Sequence, residues 1–327
     1  MIKYFDVSAY TPKFRASNFF IGGRRIGKTF STFSLLYEKY QPFLYVRNTA
    51  TQLDECCCDT GNPFKKWNKR TGHHLRMEKE KNHAIILEET EEGEKVVGYG
   101  GALSVFKNLR GIDLSDVKMG VIDEFIEDKR LSFDQAKAYN DLYETINENR
   151  EIEGDEPFRF ILLSNSQRLD NPILRDKNLI IPIESMMSNG QKIWRNESCF
   201  VCLPVSEVSE LKKHTMFYQG MEGSKTYEEA IENKFANDSF YSVRKRPLKE
   251  YTGLCMIDDI YIYKHKSNGR FYACSSQCLN IPTFTSKDNW SLFYRAYGKI
   301  LDIAAVNGLL EFSDFSTKSS MFQILRI

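Results

Sequence analysis

The sequence predicts an α/β protein in which a large domain surrounds a mostly parallel β-sheet and is followed by a helical linker and a small α+β domain. Two observations carry this prediction. Short apolar runs alternate with polar helical stretches over the first half of the chain, as in sheets covered by helices. Strand-like runs joined by turn residues dominate the end of the chain, before a helical stretch. With 327 residues, the chain has room for two domains.

The elements of the first half follow in a consistent order. Strand-like runs and one long helical stretch are seen in NFFIGG, Lys28 to Tyr40, PFLYVRN, HAIILE, GEKVVGYGG, VKMGVIDEF and FRFILLSN. The runs HAIIL and KVVGYG flank the acidic segment EETEEGE, so they predict an antiparallel pair that decorates the sheet edge. We therefore expect one decorated α/β domain over residues 1–205.

The second half divides into a linker and a small domain. Polar residues with short helical signals, broken by Gly220 and Gly223, predict a helical linker over residues 206–242. Residues 243–327 then contain a strand, a turn at SNG or NGR, another strand and a helical stretch around SLFYRAYGKILDIAAVNG. These signals predict the small α+β domain.

Composition excludes several classes of protein. Hydrophobic residues make up 42% of the chain and charged residues 27%, as in soluble globular proteins, and no apolar run reaches the roughly 18 residues that span a bilayer. The first residues contain neither an apolar signal core nor a cleavage site, so we expect a cytoplasmic protein without membrane contact. Because the net charge is +1, any contact with nucleic acid must come from a local basic patch.

Cysteine spacing leaves a metal site as the minority alternative. Cys199 and Cys202 are spaced C-x2-C, and Cys274 and Cys278 are spaced C-x3-C. The first pair lies in CFVCLPV, however, which is typical of a buried strand, and the adjacent cysteines at 56–58 suit no chelating geometry. We therefore favour reduced structural cysteines.

The strongest chemical signal is a glycine-rich loop between the apolar run NFFI and a helical stretch. It fits the phosphate-binding pattern G-x-x-x-x-G-K-[ST] with Gly22, Gly23, Arg24, Arg25, Ile26, Gly27, Lys28 and Thr29. In such a loop, backbone N–H groups curve around phosphates at a helix N-terminus. Lys28 would supply a positive charge to the β- and γ-phosphates of ATP, and the Thr29 hydroxyl would bind Mg²⁺.

A second strand-like run, VKMGVI, ends in two carboxylates. Asp123 is predicted to hold the Mg²⁺ shell together with Thr29, and Glu124 to orient and polarise the attacking water. Adjacent carboxylates at this point favour hydrolysis of ATP over simple nucleotide binding. Without the preceding loop, the same run would be interpreted as an ordinary strand end.

Two further polar residues are candidates for the same site. The run FILL ends in Ser164 and Asn165, so Asn165 could sense the γ-phosphate, or it could simply open a turn. Arg150 lies upstream in NENRE and could reach the nucleotide of a neighbouring subunit as a finger that stabilises transition-state charge. The alternative for Arg150 is a solvated surface arginine.

Basic clusters and one acidic pair remain open. Basic residues interleave with aromatic ones in FKKWNKR and in FKNLR, which contains Lys107 and Arg110, and RKR begins the last domain. Such clusters suit DNA phosphate contacts but are also typical of solvated faces. Asp258 and Asp259 are predicted to lie on a strand, and two-metal nuclease chemistry would need at least one more placed carboxylate. No convincing third carboxylate is present, so an inactive domain is favoured.

In their order along the chain, these motifs resemble the DNA-packaging ATPases of phi-29-like short-tailed phages. The segments that carry the likeness are IGGRRIGKT, FLYVRN, LSVF with the nearby Lys107 and Arg110, VIDEFIEDKR, NENRE and LLSN. The likeness covers residues 15–180 well and the rest of the chain more loosely. It implies an ASCE-type P-loop NTPase domain that uses ATP and Mg²⁺. It also implies a homomeric ring, a pentamer, on the portal of an empty procapsid, with double-stranded DNA as the translocated partner.

The resemblance also implies residue roles. Arg24 matches an arginine of the phosphate-binding loop that faces the γ-phosphate, and Arg47 falls in the strand YVR of the family. Arg110 matches a basic residue on a pore loop that grips DNA, and Arg150 resembles the finger that acts on a neighbouring subunit. The relatives carry an arginine two places earlier, where this chain has Glu148, so the arginine that completes the neighbouring site stays open.

The end of the chain resembles a vestigial RNase H-like nuclease without its acidic cluster, which would bind nucleic acid or the portal. The sequence thus predicts a viral DNA-packaging motor in the host cytoplasm, transiently at the portal vertex, with a structural packaging RNA as a further candidate partner. Two alternatives stay open. One is a terminase-like or helicase-like enzyme with an active nuclease, and the other is a nucleotide-switched assembly protein that is not a motor.

Overall fold

The computed structural model describes residues 3–81, 83–127, 131–165, 169, 171–222, 227 and 242–325, apart from the side chains of residues 108, 110 and 111. Two compact units divide the chain: one contains residues 1–168 and 185–236, and the other contains residues 169–184 and 237–327. By its contacts, segment 169–184 therefore joins the second unit, and the first unit is discontinuous. The sequence pattern does not predict that this segment belongs to the second unit, because helical signals do not identify the neighbour against which a helix packs.

The first unit contains a large sheet, formed by nine strands of the described residues. These strands are β1 Ser17–Ile21, β2 Phe43–Arg47, β3 Leu75–Glu80, β4 His83–Thr90, β5 Gly93–Ala102, β6 Met119–Asp123, β7 Arg159–Ser164, β8 Ile193–Arg195 and β9 Cys199–Cys202. They lie in the order β3-β4-β5-β2-β6-β7-β1-β9-β8. The sheet is parallel from β5 to β9 and antiparallel at both edges. The prediction of a mostly parallel sheet is confirmed.

The strand order decides which motifs meet. β7 lies between β1 and β6 and is parallel to both, with Ile21 opposite Ser164 and Asp123 opposite Leu163. All five residues of β1 are buried, as expected for a strand covered on both faces. Because the carboxyl ends of parallel strands share one sheet edge, the glycine-rich loop, Asp123 and Asn165 follow neighbouring strand ends.

The predicted antiparallel pair is confirmed as β4 and β5, with Ala84 opposite Gly100 and Thr90 opposite Gly93. The pair does more than decorate the edge, because β5 also forms a parallel ladder with β2. The insertion is therefore continuous with the central sheet, and β3 becomes the outer strand. Cys199–Cys202 forms the buried strand β9, as predicted.

The α-helices of the described residues are α1 Lys28–Lys39, α2 Ala50–Cys56, α3 Lys65–Thr71, α4 Gln135–Asn147, α5 Arg150–Glu153, α6 Pro172–Asp176, α7 Ile180–Ser188, α8 Glu207–Lys213, α9 Trp290–Phe293, α10 Lys299–Val306 and α11 Phe315–Leu325. Local capping explains two starts: Thr49 and Gln52 form a capping box before α2, and Asp134 accepts from the Lys137 N–H before α4. No described helix is long and apolar enough to cross a membrane.

The second unit contains a smaller sheet, formed by β10 Tyr251–Ile257, β11 Ile260–His265, β12 Phe271–Cys274, β13 Thr283–Phe284 and β14 Leu310–Phe312. These strands lie in the order β13-β10-β11-β12-β14. The three central strands form an antiparallel meander, while β13 and β14 are parallel to β10 and β12. A buried core that includes Ile257, Ile262 and Phe271 lies between this sheet and the helices α10 and α11.

The placement of Asp258 and Asp259 on a strand is wrong. Both residues form the two-residue turn between β10 and β11, with φ values of 44° and 63°. Positive φ at both central positions defines the hairpin turn whose twist matches the flanking strands, and aspartate tolerates this conformation better than most residues. Asp258 Oδ1 accepts a hydrogen bond from the Ser286 N–H at 2.8 Å, so this carboxylate has a structural partner.

Candidate nucleotide-binding site

The loop between β1 and α1 contains two glycines that a side chain could not easily replace. The Gly22 N–H donates to Ser164 O at 3.1 Å, and a Cβ on Gly22 would lie 2.8 Å from Pro204 Cγ. Gly27 has a φ of 109° directly before α1. Glycine therefore lets the loop pass close to Pro204 at the first position and adopt a left-handed turn into α1 at the second.

Lys28 is buried inside this loop, with 7% of its surface exposed. Its Nζ donates to Gly22 O at 2.8 Å and to Gly23 O at 2.7 Å, and Asn165 Oδ1 lies 3.5 Å away. Burial lowers the pKa of Lys28 to about 7, against the opposing effect of the Asp123 carboxylate. The lysine and the asparagine predicted to face the γ-phosphate thus lie together.

Thr29 and Asp123 form the oxygen pair that the sequence predicted for Mg²⁺. Thr29 Oγ1 donates to Asp123 Oδ1 at 3.4 Å. Burial raises the pKa of Asp123 to about 6, with Glu124 adding to the rise and Arg47 opposing it. Hydroxyl and carboxylate oxygens suit Mg²⁺, and the described residues contain no cluster of three or more His, Cys, Asp or Glu side chains that could hold a metal. Phosphate and water oxygens would therefore have to complete the shell.

Glu124 follows β6 in a left-handed conformation, with a φ of 57°. Its Oε2 accepts from Arg47 Nη2 at 2.9 Å, and its backbone oxygen accepts from Asn48 Nδ2 at 2.9 Å. Burial alone would lower the pKa of Arg47, but the surrounding acidic groups and the hydrogen bond to Glu124 raise it above its ordinary value. The end of β2 therefore holds both the side chain and the backbone of Glu124.

The sequence analysis missed Asn48, which is fully buried. Besides Glu124 O, its Nδ2 donates to Glu127 Oε1 at 2.7 Å, and its Oδ1 accepts from Gln135 Nε2 at 2.7 Å. Its backbone oxygen accepts from the Ser104 N–H at 3.0 Å. The signal that could have identified it is a polar residue two positions after the apolar run FLYV, since that run forms β2, the neighbour of β6.

Arg24 and Arg25 are exposed on the loop. Arg24 O accepts a hydrogen bond from Lys212 Nζ, a contact that no local pattern indicated. Burial and the charge of Arg25 both lower the pKa of Lys212. Arg24, Arg25 and Lys212 therefore place three positive charges around the loop, which favours the binding of an anionic ligand.

One cavity of about 1300 Å³ is lined both by these groups and by aromatic residues. Its polar lining includes Arg24, Lys28, Thr29, Asp123, Glu124 and Asn165. It is also lined by Tyr4, Phe30, Trp67 and Arg70. The guanidinium carbon of Arg70 lies 5.5 Å from the ring centroids of both Tyr4 and Phe30. The segment FKKWNKR, which contains Trp67 and Arg70, is by pattern only a basic cluster interleaved with aromatic residues, so its place in the cavity wall is not predicted by the sequence.

Arg150 does not line this cavity. Its Nη1 donates to Val117 O at 2.8 Å, and its Nη2 donates to Leu114 O at 3.0 Å and to Ser115 O at 2.8 Å. The side chain thus supports the turn that leads into β6 of its own chain. Glu148 has a φ of 45° directly after α4.

Of the predicted DNA-binding residues, Lys107 does not line the cavity. Lys107 is exposed on a 3-10 helix, Leu103–Gly111, whereas the side chain of Arg110 lies outside the described residues. Cys199 and Cys202 are free thiols buried in β9, and Cys274 is a free thiol buried in β12. They join no candidate metal cluster among the described residues.

The chain is similar in sequence to proteins that package phage DNA. The family model described as podovirus DNA encapsidation protein (Gp16) matches residues 3–263. The DNA packaging proteins of Bacillus phages PZA and phi29 are each 25% identical over 240 residues, which cover 71% of this chain and 66% of each relative. The chain therefore spans slightly less than two thirds of the length of these relatives.

The fold agrees with a solved assembly. The structure described as the bacteriophage phi-29 viral genome packaging motor assembly is 21% identical, has a TM-score of 0.64, and covers 99% of this chain and 98% of its own. At this identity the likeness concerns the mixed α/β fold alone. Since the family model matches well over half of the residues, the chain belongs to the podovirus DNA encapsidation protein (Gp16) family.

Proposed function

We propose that this protein is an ATPase that couples ATP hydrolysis to translocation of double-stranded DNA into a viral procapsid. The carrying observation is that one cavity contains the loop lysine Lys28, the pair Thr29–Asp123, the carboxylate of Glu124 and the amide of Asn165. Membership in the encapsidation family and the DNA packaging proteins among the relatives support the DNA-translocating part.

The phosphate groups of ATP would bind at the start of α1. Lys28 Nζ would exchange its bonds to Gly22 O and Gly23 O for phosphate oxygens, while N–H groups at the helix N-terminus favour the negative charge. Thr29 and Asp123 would hold Mg²⁺, which neutralises charge on the phosphates. Asn165 would contact the γ-phosphate, and Arg24 at the rim would face it from outside.

Glu124 would orient and polarise the attacking water after it leaves Arg47. The strand β7 between β1 and β6, together with this glutamate, supports the assignment to the ASCE class. Arg150 is proposed as the finger of a neighbouring site, and it would have to exchange its three carbonyl partners to act there. A ring, a pentamer on the portal, follows from the family resemblance and stays a proposal.

Lys107 and Arg110 are proposed to contact the DNA backbone. Residues 1–205 would form the motor domain and residues 206–242 the linker, and residues 243–327 would form an RNase H-like domain that does not cut. The location of Asp258 and Asp259 in a hairpin turn supports the inactive assignment. A structural packaging RNA is a further proposed partner.

The test compares ATP turnover by the wild type, Lys28→Ala and Glu124→Gln, each with and without DNA and procapsids. In the wild type we expect DNA to stimulate ATP turnover. Lys28→Ala should lose ATP binding, whereas Glu124→Gln should still bind ATP but hydrolyse it at least about a hundredfold more slowly. Turnover indifferent to DNA would favour a nucleotide-switched assembly protein instead. Metal-dependent cleavage of DNA would favour a terminase-like nuclease.

A further inference from the structure

One cavity contains both the proposed phosphate site and an aromatic cluster. Lys28, Asp123 and Asn165 line it at the proposed triphosphate site, and Phe30, on the first turn of α1, also lines it. The aromatic cluster consists of Tyr4, Phe30 and Trp67, together with Arg70. A nucleoside attached to a triphosphate at the start of α1 would lie in this cavity within reach of the cluster.

The guanidinium group of Arg70 lies against two aromatic rings in this cluster. The guanidinium carbon of Arg70 is 5.5 Å from the ring centroid of Tyr4 and 5.5 Å from that of Phe30. Arg70 and Tyr4 are exposed, and among the described residues Arg70 forms no ion pair. The planar cation is thus held by aromatic faces and keeps its hydrogen-bond donors for a ligand.

Hydrogen bonds and close contacts fix the aromatic residues relative to the glycine-rich loop. The Phe5 N–H donates to Ile26 O at 2.9 Å, and a Cβ on Gly27 would lie 3.1 Å from Tyr4 Cβ, so Tyr4 lies directly over the loop. Trp67 Nε1 donates to Ser34 Oγ at 2.9 Å and ties α3 to α1. The same elements that position the glycine-rich loop therefore also position the aromatic cluster.

We propose that Arg70, Tyr4 and Phe30 form the base-binding platform of the nucleotide site and select purine over pyrimidine nucleotides. Aromatic rings and the guanidinium plane stack on a flat base, and a purine offers a larger face than a pyrimidine. This inference rests on the proposed nucleotide site. It adds that the base, and not only the triphosphate, determines affinity.

The experiment separates the base from the phosphates by comparing ATP, CTP and inorganic tripolyphosphate, each with Mg²⁺, in calorimetric titrations of the full chain. The variants are Arg70→Lys, which keeps the charge and removes the planar group, and Tyr4→Leu, which removes an exposed ring. Lys65→Ala is the matched control, because Lys65 is an exposed cation on α3 that does not line the cavity. Circular dichroism checks that each variant is folded.

We expect the wild type to bind ATP more tightly than CTP. Arg70→Lys and Tyr4→Leu should each weaken ATP binding by about tenfold and leave the affinity for tripolyphosphate unchanged. Lys65→Ala should bind all three ligands as the wild type does. If Arg70→Lys and Tyr4→Leu leave the ATP to CTP ratio unchanged, or weaken ATP and tripolyphosphate equally, the platform is wrong while the phosphate site stands. A wild type that binds neither ATP nor tripolyphosphate would overturn the phosphate site and the platform together.

Discussion

Arg47 Nη2 lies 2.9 Å from Glu124 Oε2, across the neighbouring strands β2 and β6. The side chain of Arg47 is 13% exposed and that of Glu124 is 56% exposed, so the pair joins a largely buried cation to a carboxylate that water reaches. Within the described residues, Arg47 Nε is buried without a hydrogen-bond partner. Under the proposed function, Glu124 must leave this contact before it can orient the attacking water.

The first prediction concerns this contact. Arg47→Met keeps the apolar stem but removes the partner of Glu124, so we expect ATP turnover without DNA to rise severalfold and its stimulation by DNA to fall. Phosphate release with and without DNA measures both. The control is Arg76→Met, which removes an exposed arginine paired with Glu78 and Glu94 on the sheet edge. An unchanged stimulation ratio in Arg47→Met would show that the ion pair does not restrain Glu124.

A second prediction tests the loop backbone. Gly27→Ala combines a φ of 109° with a Cβ that would lie 3.1 Å from Phe5 O, so we expect it to lower stability and to weaken ATP binding. Gly72→Ala is the matched control: its φ is 83°, but nothing lies within 4 Å of the added Cβ. It should lower stability by about 1 kcal/mol through backbone strain alone and leave ATP binding intact. Equal ATP affinities in the two variants would contradict the role given to Gly27.

A third prediction concerns the second unit, where three arginines surround one buried carboxylate. Glu311 is 1% exposed in its side chain and accepts hydrogen bonds from Arg246 Nε at 2.7 Å and from Arg270 Nη1 at 2.8 Å, while Arg244 Nη2 forms an ion pair with it at 3.0 Å. Burial alone would raise the pKa of Glu311, but the hydrogen bond from Arg246 and the three positive charges hold it below its ordinary value. Glu311→Gln would leave the guanidinium groups to repel one another.

We expect Glu311→Gln to lower the stability of the second unit by about 3 kcal/mol at pH 7. The pH dependence follows from the sign of the shift. The contribution of an acid with a lowered folded pKa is fully present above the unfolded value of about 4.3, and it is lost as pH falls through the folded pKa. Hydrogen exchange of β12 and β14 in urea measures the difference. A gap between wild type and variant that stays constant down to pH 3 would refute the assignment, and Glu250→Gln, on an exposed carboxylate, is the control.

Local pattern was sufficient to predict that the glycine-rich loop, Asp123 and Asn165 lie close together. The loop, Asp123 and Asn165 each follow a recognisable apolar run, and parallel strands bring their carboxyl ends to one edge whatever the details of the order. The strand order, with β7 between β1 and β6, cannot be predicted from any single apolar run. This order matters for the candidate site because it places Ser164 and Asn165 beside the loop.

Contacts between segments that are distant along the chain could not be predicted from the sequence. Arg47 meets Glu124, and Tyr4 meets Arg70, only because the folded sheet and the inserted α3 bring these segments together. The turn at Asp258 and Asp259 was missed for another reason. Alternating apolar residues continue on both sides of it, and the pair lacks the glycine that usually marks such a hairpin.

The last prediction concerns Arg150, whose side chain donates to the carbonyls of Leu114, Ser115 and Val117. These bonds are local to one chain, so Arg150→Ala should lower the stability of the isolated subunit by about 1–2 kcal/mol, measured by urea denaturation. As a trans-acting finger, Arg150 should in addition contribute only in assembled particles, where it stabilises charge on a neighbour's transferring phosphoryl group. ATP affinity of the isolated variant should therefore stay near that of the wild type.

Mixing separates the two roles. Particles assembled from Arg150→Ala and Glu124→Gln subunits contain sites in which an intact Glu124 meets an intact Arg150 of the neighbour, so ATP turnover should exceed that of either variant alone. Since folding defects in one subunit cannot be repaired by the other, such rescue requires a contribution across the subunit boundary. If assembled mixtures remain as inactive as both parents, Arg150 supports only the turn before β6. Arg24 or Arg25, exposed on the loop, then becomes the better candidate for the finger.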